Sequence, residues 1–101
     1  MLDLTAQHLE VVKGILGQHV PSCEIRVFGS RTNGKARSYS DLDLAIVGKE
    51  KIPLRLMCQL QEGFENSSLP FRVEILDWYR VSDEFKKVIE KNYVILDLKK
   101  F

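Results

Sequence analysis

Hydrophobic positions recur along this chain with two periods. Leu9, Val12, Ile15 and Leu16 fall on one stripe of a helix spanning residues 5–18, and Gly17 and Pro21 punctuate its end. Ile25, Val27 and Phe28 lie in a short strand over residues 24–28. A polar stretch with room for one helical turn covers residues 30–37. A second strand over 41–47 then buries Leu44, Ile46 and Val47. Pro53 suits a helix N-terminus, with Met57, Leu60 and Phe64 on one face of the helix behind it. Residues 66–70, Asn-Ser-Ser-Leu-Pro, are a loop. Residues 71–77 alternate, with Phe71, Val73 and Ile75 on one side and Arg72, Glu74 and Leu76 on the other. Ser82 is an N-cap with Asp83 and Glu84 in the favoured first turn. Phe85, Val88 and Ile89 form the apolar face behind them, and Asn92 suits the helix end. Residues 94–98 are a short apolar end piece.

The predicted order is α, β, short α, β, α, β, α and a tail. That pattern gives an α/β or α+β domain, a small sheet covered by helices. At 101 residues the chain has room for one domain, 1–101, with a modest core and a shallow, open site. A net charge of +1 gives no electrostatic drive toward nucleic acid or a membrane surface. No apolar run approaches the roughly 20 residues of a membrane span. The N-terminus, Met-Leu-Asp-Leu, lacks the basic segment of a secretory signal. Cys23 and Cys58 have neither metal-type spacing nor a disulfide framework, which fits two thiols in a reducing cytoplasm. His8 and His19 share a helix face but lie about 16 Å apart, too far for one metal.

The chemistry concentrates between the first two strands. Gly29-Ser30 closes the first apolar run, ten residues follow, and Asp41-Leu42-Asp43 opens the second. A strand ending in a small polar turn offers backbone N–H groups and a hydroxyl to a phosphate. Two carboxylates at i and i+2 project from one strand face, roughly 7 Å apart at the backbone. Their side chains can converge on divalent cations, which sit about 3.5–4 Å apart in two-metal phosphoryl-transfer sites. Glu74 adds a third acid, mid-strand between Val73 and Ile75; a carboxylate there is costly unless paired or metal-bound. The competing role for Glu74 is an edge-strand residue facing water. Asp77 competes for the third-acid role but sits at the strand's end beside Trp78 and Tyr79. Arg31, Lys35 and Arg37 supply cations suited to triphosphate oxygens, Arg31 foremost, or equally to a solvated loop, and Ser40 can orient Asp41 or cap a turn.

Residues 29–36 nearly match the P-loop pattern G-x-x-x-x-G-K-[ST]. Position 36 is alanine, so the hydroxyl that would hold Mg2+ is missing. A strand follows within a few residues, where a P-loop needs a long helix.

Phe28-Gly29-Ser30-Arg31-Thr32-Asn33-Gly34 and Ser40-Asp41-Leu42-Asp43-Leu44, with an acid on a later strand, resemble the minimal nucleotidyltransferases of the DNA polymerase beta superfamily. The resemblance implies the nucleotidyltransferase fold, a small mixed sheet of three to four strands covered by helices. It implies that Gly29 and Ser30 bind the triphosphate of ATP, and Arg31 beside them is the candidate cation for it. It implies that Asp41, Asp43 and Glu74 are the catalytic acids and hold two Mg2+ ions. Glutamate at 74 departs from the aspartate common in relatives. The resemblance also implies a partner: a helical HEPN ribonuclease toxin, to whose tyrosine AMP is transferred, making this chain an antitoxin. Trp78, Tyr79 and residues 94–98 are candidate contact surface. Two alternatives remain open: a steric antitoxin with a vestigial site, and a catalytic subunit that adenylylates a small molecule beside a separate substrate-binding subunit.

Overall fold

Each helix starts where a side chain or a proline settles its first turn. In the computed structural model, which describes residues 2–98, α1 spans Ala6–His19 and is capped by Thr5, whose hydroxyl accepts from the His8 N–H at 3.1 Å. Pro53 precedes α2 (Leu54–Glu65), and its carbonyl takes the Met57 N–H. Ser82 caps α3 (Asp83–Lys91) by accepting from Phe85 N–H at 3.2 Å, with Asp83 and Glu84 at the positive end and Lys91 at the negative one.

Four strands, β1 (Glu24–Phe28), β2 (Leu42–Val47), β3 (Val73–Asp77) and β4 (Val94–Leu96), form one mixed sheet in the order β3-β2-β1-β4. β1 is antiparallel to both of its neighbours, whereas β2 and β3 run parallel across the connection that carries α2. The apolar tail thus supplies a fourth strand, pairing Val94 with Val27 and Leu96 with Ile25. β2 and β3 start one and two residues later than the apolar pattern predicts, at Leu42 and Val73.

One sheet face carries Ile25, Val27, Leu42, Leu44, Ile46 and Val73. They form a single core cluster with Val12 and Leu16 of α1 and Leu60 and Phe64 of α2. The opposite face has its own smaller cover. Phe28 meets Phe85 of α3 edge-to-face, with ring centroids 5.9 Å apart. Arg26 lies between the rings of Trp78 and Tyr93, 4.6 and 4.8 Å from their centroids, and pairs with Glu24 at 2.5 Å. Here the expected burial pattern shifts. Ala45, on this second face, is fully buried, whereas Val47 is only half-buried. On α3 only Ile89 is buried; Phe85 is 39% and Val88 56% exposed. A nine-residue helix laid over the second face sends one apolar row inward and leaves the flanking row outside.

Asp77 resolves one competition. It ends β3 beside Ile46 rather than beside the Asp41–Asp43 pair, and it is buried. Its carboxylate accepts from Ile52 N–H (2.8 Å), Tyr79 N–H (3.1 Å) and Arg80 Nη1 (2.6 Å), while Arg80 also reaches Ile52 O. It therefore anchors the loop ahead of α2 and the 3-10 turn Trp78–Arg80. Both cysteines are free thiols; burial, reinforced by the Asp77 charge, pushes the Cys23 thiol up. Among the described residues no helix is long and apolar enough to cross a membrane.

Replacing Asp77 with Ala orphans a buried N–H and leaves Arg80 without its counter-charge. Urea unfolding should show a loss of about 3 kcal/mol in stability.

Candidate active site

Where β1 ends, β2 and β3 begin, and their registers bring the candidate residues to one end of the second face. Phe28 opposes Asp43 across the β1–β2 pair, and Asp43 opposes Glu74 across the β2–β3 pair. Residues opposed across a ladder share a face, so Asp43 and Glu74 project together. Asp41 lies two residues ahead of Asp43, just outside the strand, and is exposed.

The electrostatics register that convergence. Asp43 is half-buried and its carboxyl is pushed up to about 6, first by desolvation, then by the charge of Glu74 and that of Asp41. Glu74 itself is exposed on the edge strand β3. The burial penalty expected for a mid-strand carboxylate therefore falls on Asp43, in the central strand, and Glu74 both faces water and faces Asp43. Among the described residues no three His, Cys, Asp or Glu side chains enclose a single metal-ion position, so the three acids are an open set.

Gly29 fits against this set. It has φ +85, and a Cβ there would overlap Asp43 Oδ2 and stand 3.3 Å from Asp43 Cγ. Glycine is therefore required twice, by backbone conformation and by the carboxylate that occupies its missing side chain's place. Ser30 follows and opens a single 3-10 turn, Ser30–Thr32, closed by Thr32 N–H and Thr32 Oγ1, both bonding Gly29 O. No helix continues from it; the next regular element is β2, which removes the P-loop pattern structurally as well.

Arg31, expected as a triphosphate ligand, is engaged by the protein's own backbone. It is only 5% exposed, and its guanidinium donates to four backbone carbonyls. Nothing local in the sequence signals this, because one of those carbonyls, Asp3 O, is 28 residues away. Lys35 and Arg37 stay exposed on the loop, and Ser40 Oγ accepts from Arg37 N–H at 2.8 Å. His19 bonds Ile15 O, and His8 packs edge-on against Phe71; neither belongs to the site. Trp78 is half-buried beneath Arg26 and Lys86, whereas Tyr79 is 39% and Ile95 54% exposed.

The family model described as "Polymerase beta, Nucleotidyltransferase" matches residues 10–100. The chain is also 45% identical over 98 residues to a Haemophilus influenzae protein described as "Probable protein adenylyltransferase MntA". That match covers 97% of this chain and 86% of the relative.

Two outcomes follow from the geometry. Gly29→Ala forces both a strained backbone and a displaced carboxylate, and should lower nucleotidyl transfer about 100-fold or more in a steady-state assay. Asp43 binds its proton more tightly folded than unfolded, where an aspartate titrates near about 3.9. Its contribution to stability is therefore full below about pH 4 and is lost as pH rises to about 6. Asp43→Asn should thus raise the melting temperature of the metal-free protein at pH 7.5, and the gain should shrink toward pH 4. Thermal unfolding across that range measures it.

Proposed function

Because the chain belongs to the polymerase beta nucleotidyltransferase family, we propose that it transfers AMP from ATP to a hydroxyl of a partner protein. The acceptor in this proposal is a tyrosine of a HEPN ribonuclease toxin, and the transfer makes this chain its antitoxin. The observation that carries the reading is the cluster of Asp41, Asp43 and Glu74 around one half-buried carboxyl, set against a glycine turn that leads into Ser30. The description of the Haemophilus relative as a protein adenylyltransferase supports a protein acceptor.

In this reading the acceptor oxygen attacks the α-phosphorus, the bond to the bridging oxygen breaks, and pyrophosphate leaves. The donor set fits Mg2+: hard carboxylate oxygens carry excess negative charge, and Mg2+ characteristically takes one or two carboxylates plus substrate phosphates rather than a closed protein cage. Asp41 and Asp43 would hold the ions with Glu74 completing the set, and the ions would supply charge that lowers the hydroxyl pKa and neutralises the leaving group. Ser30 and the turn's N–H groups orient the triphosphate. In this reading one of the three acids takes the proton of the incoming hydroxyl, and the exposure of Glu74 on an edge strand favours that residue.

The partner supplies what so small a site lacks. Phe85 packs on Phe28, the cross-strand neighbour of Asp43, and Val88 is exposed on the same helix. An acceptor chain covering them would bury apolar surface while presenting its hydroxyl.

Incubation with the partner toxin, Mg2+ and ATP labelled at the α- or the γ-phosphate tests the reaction. Label should transfer from the α position only; phosphate released from γ with nothing transferred overturns the reading. Asp41→Asn should lower the rate about 100-fold with the fold intact by circular dichroism. Toxin neutralisation that survives Asp41→Asn/Asp43→Asn would instead favour steric inhibition.

A further inference from the structure

The guanidinium of Arg31 is the most heavily engaged cation in the described structure. Nε donates to Ser40 O (3.0 Å), Nη1 to Asp3 O (2.9 Å), and Nη2 to Ser38 O (3.1 Å) and Arg37 O (3.4 Å). Arginine has five N–H donors, so at most one is left for any ligand. The plane of the group lies over the Phe71 ring, 4.1 Å from Cζ to centroid. Asp3 N–H returns a bond to Arg31 O at 2.8 Å, which clamps the N-terminal segment to the same residue.

Apart from Asp3, these partners join the turn that carries Arg31 to the two other segments of the site. Arg31 follows Ser30 directly. Ser40 O is one peptide from Asp41. Phe71 precedes β3 by two residues, and Leu42 N–H bonds Arg72 O at 2.9 Å, so the start of β2 is tied to the residue after Phe71. One buried planar group thus spaces the phosphate turn, the first acid and the lead-in to Glu74 relative to one another.

We propose that Arg31 is a positioning residue for nucleotidyl transfer. It acts through Ser30, Asp41 and Glu74 by holding the loop of residues 33–40 around its guanidinium, and not by touching the triphosphate. This inference rests on the adenylyl-transfer reading above. Its chemistry predicts that lysine cannot substitute. An ammonium has three donors, no planar fork and no face to lay on Phe71, so Arg31→Lys loses the geometry although it keeps the charge.

The variants Arg31→Lys, Arg31→Met and Phe71→Leu test this, with wild type as the reference. The measurements are kcat and KM for ATP with α-labelled ATP and the partner toxin, thermal unfolding, and amide hydrogen exchange. Arg31→Lys and Arg31→Met should lose kcat equally, by about 30-fold, with KM for ATP within about threefold of wild type. Phe71→Leu should lose several-fold in kcat in the same manner. Exchange should quicken over residues 38–43 while β1 and α2 keep their protection. A tenfold rise in KM for Arg31→Met that Arg31→Lys largely reverses would identify a phosphate ligand and overturn the proposal. Wild-type kcat in Arg31→Lys would also overturn it. If Arg31→Lys does not fold, Phe71→Leu decides, and unchanged kcat there refutes the proposal. Absence of α-label transfer by wild type refutes the adenylyl-transfer reading alone. Exchange over residues 38–43 in Arg31→Lys then still decides the role of Arg31, and unchanged exchange refutes it.

Discussion

Asp43 fills the space where a side chain at position 29 would stand, and the rest of the site is arranged around that contact. A half-buried carboxylate abuts a backbone in the left-handed region, with a second acid opposite it and a third just ahead in the chain. Desolvation and like charge both oppose this arrangement. It persists because Asp43 sits in a strand whose alternate residues, Leu42, Leu44 and Ile46, are fully buried in the core. A one-residue slip in register would turn that whole apolar set toward solvent, so the core holds the carboxylate where its own electrostatics would not.

The two sides of the sheet therefore do different work. α1 and α2 close a continuous apolar core on one side, and α3 with the aromatic residues around Arg26 covers the other more loosely. Functional groups gather at the looser face, at the end where β1 stops and the parallel pair β2 and β3 starts. Parallel pairing matters here. It brings the starts of two strands side by side, so acids near each start meet without either strand extending into solvent.

Buried polar residues divide the remaining labour. Asp77 and Arg80 secure the loop ahead of α2, and Arg31 secures the loop ahead of β2. Each satisfies backbone groups that connecting segments leave unpaired. Both loops enter the strand pair that carries the carboxylates or the helix that crosses over it.

The chain's local patterns already determined the three helices, the first three strands, the glycine–serine turn and the acid pair at 41 and 43, with Glu74 and Asp77 competing to be the third. Caps, alternation and spacing act over a few residues and are written in order along the sequence. Tertiary structure alone decided the fourth strand, because residues 94–96 extend only where β1 offers an edge. It separated Glu74 from Asp77, since strand register decides which acid faces Asp43 and which is consumed by backbone N–H groups. It also set Arg31 at the centre of a carbonyl cage. Its guanidinium is engaged by residues 6 to 28 positions away along the chain, and only folding brings those carbonyls to it.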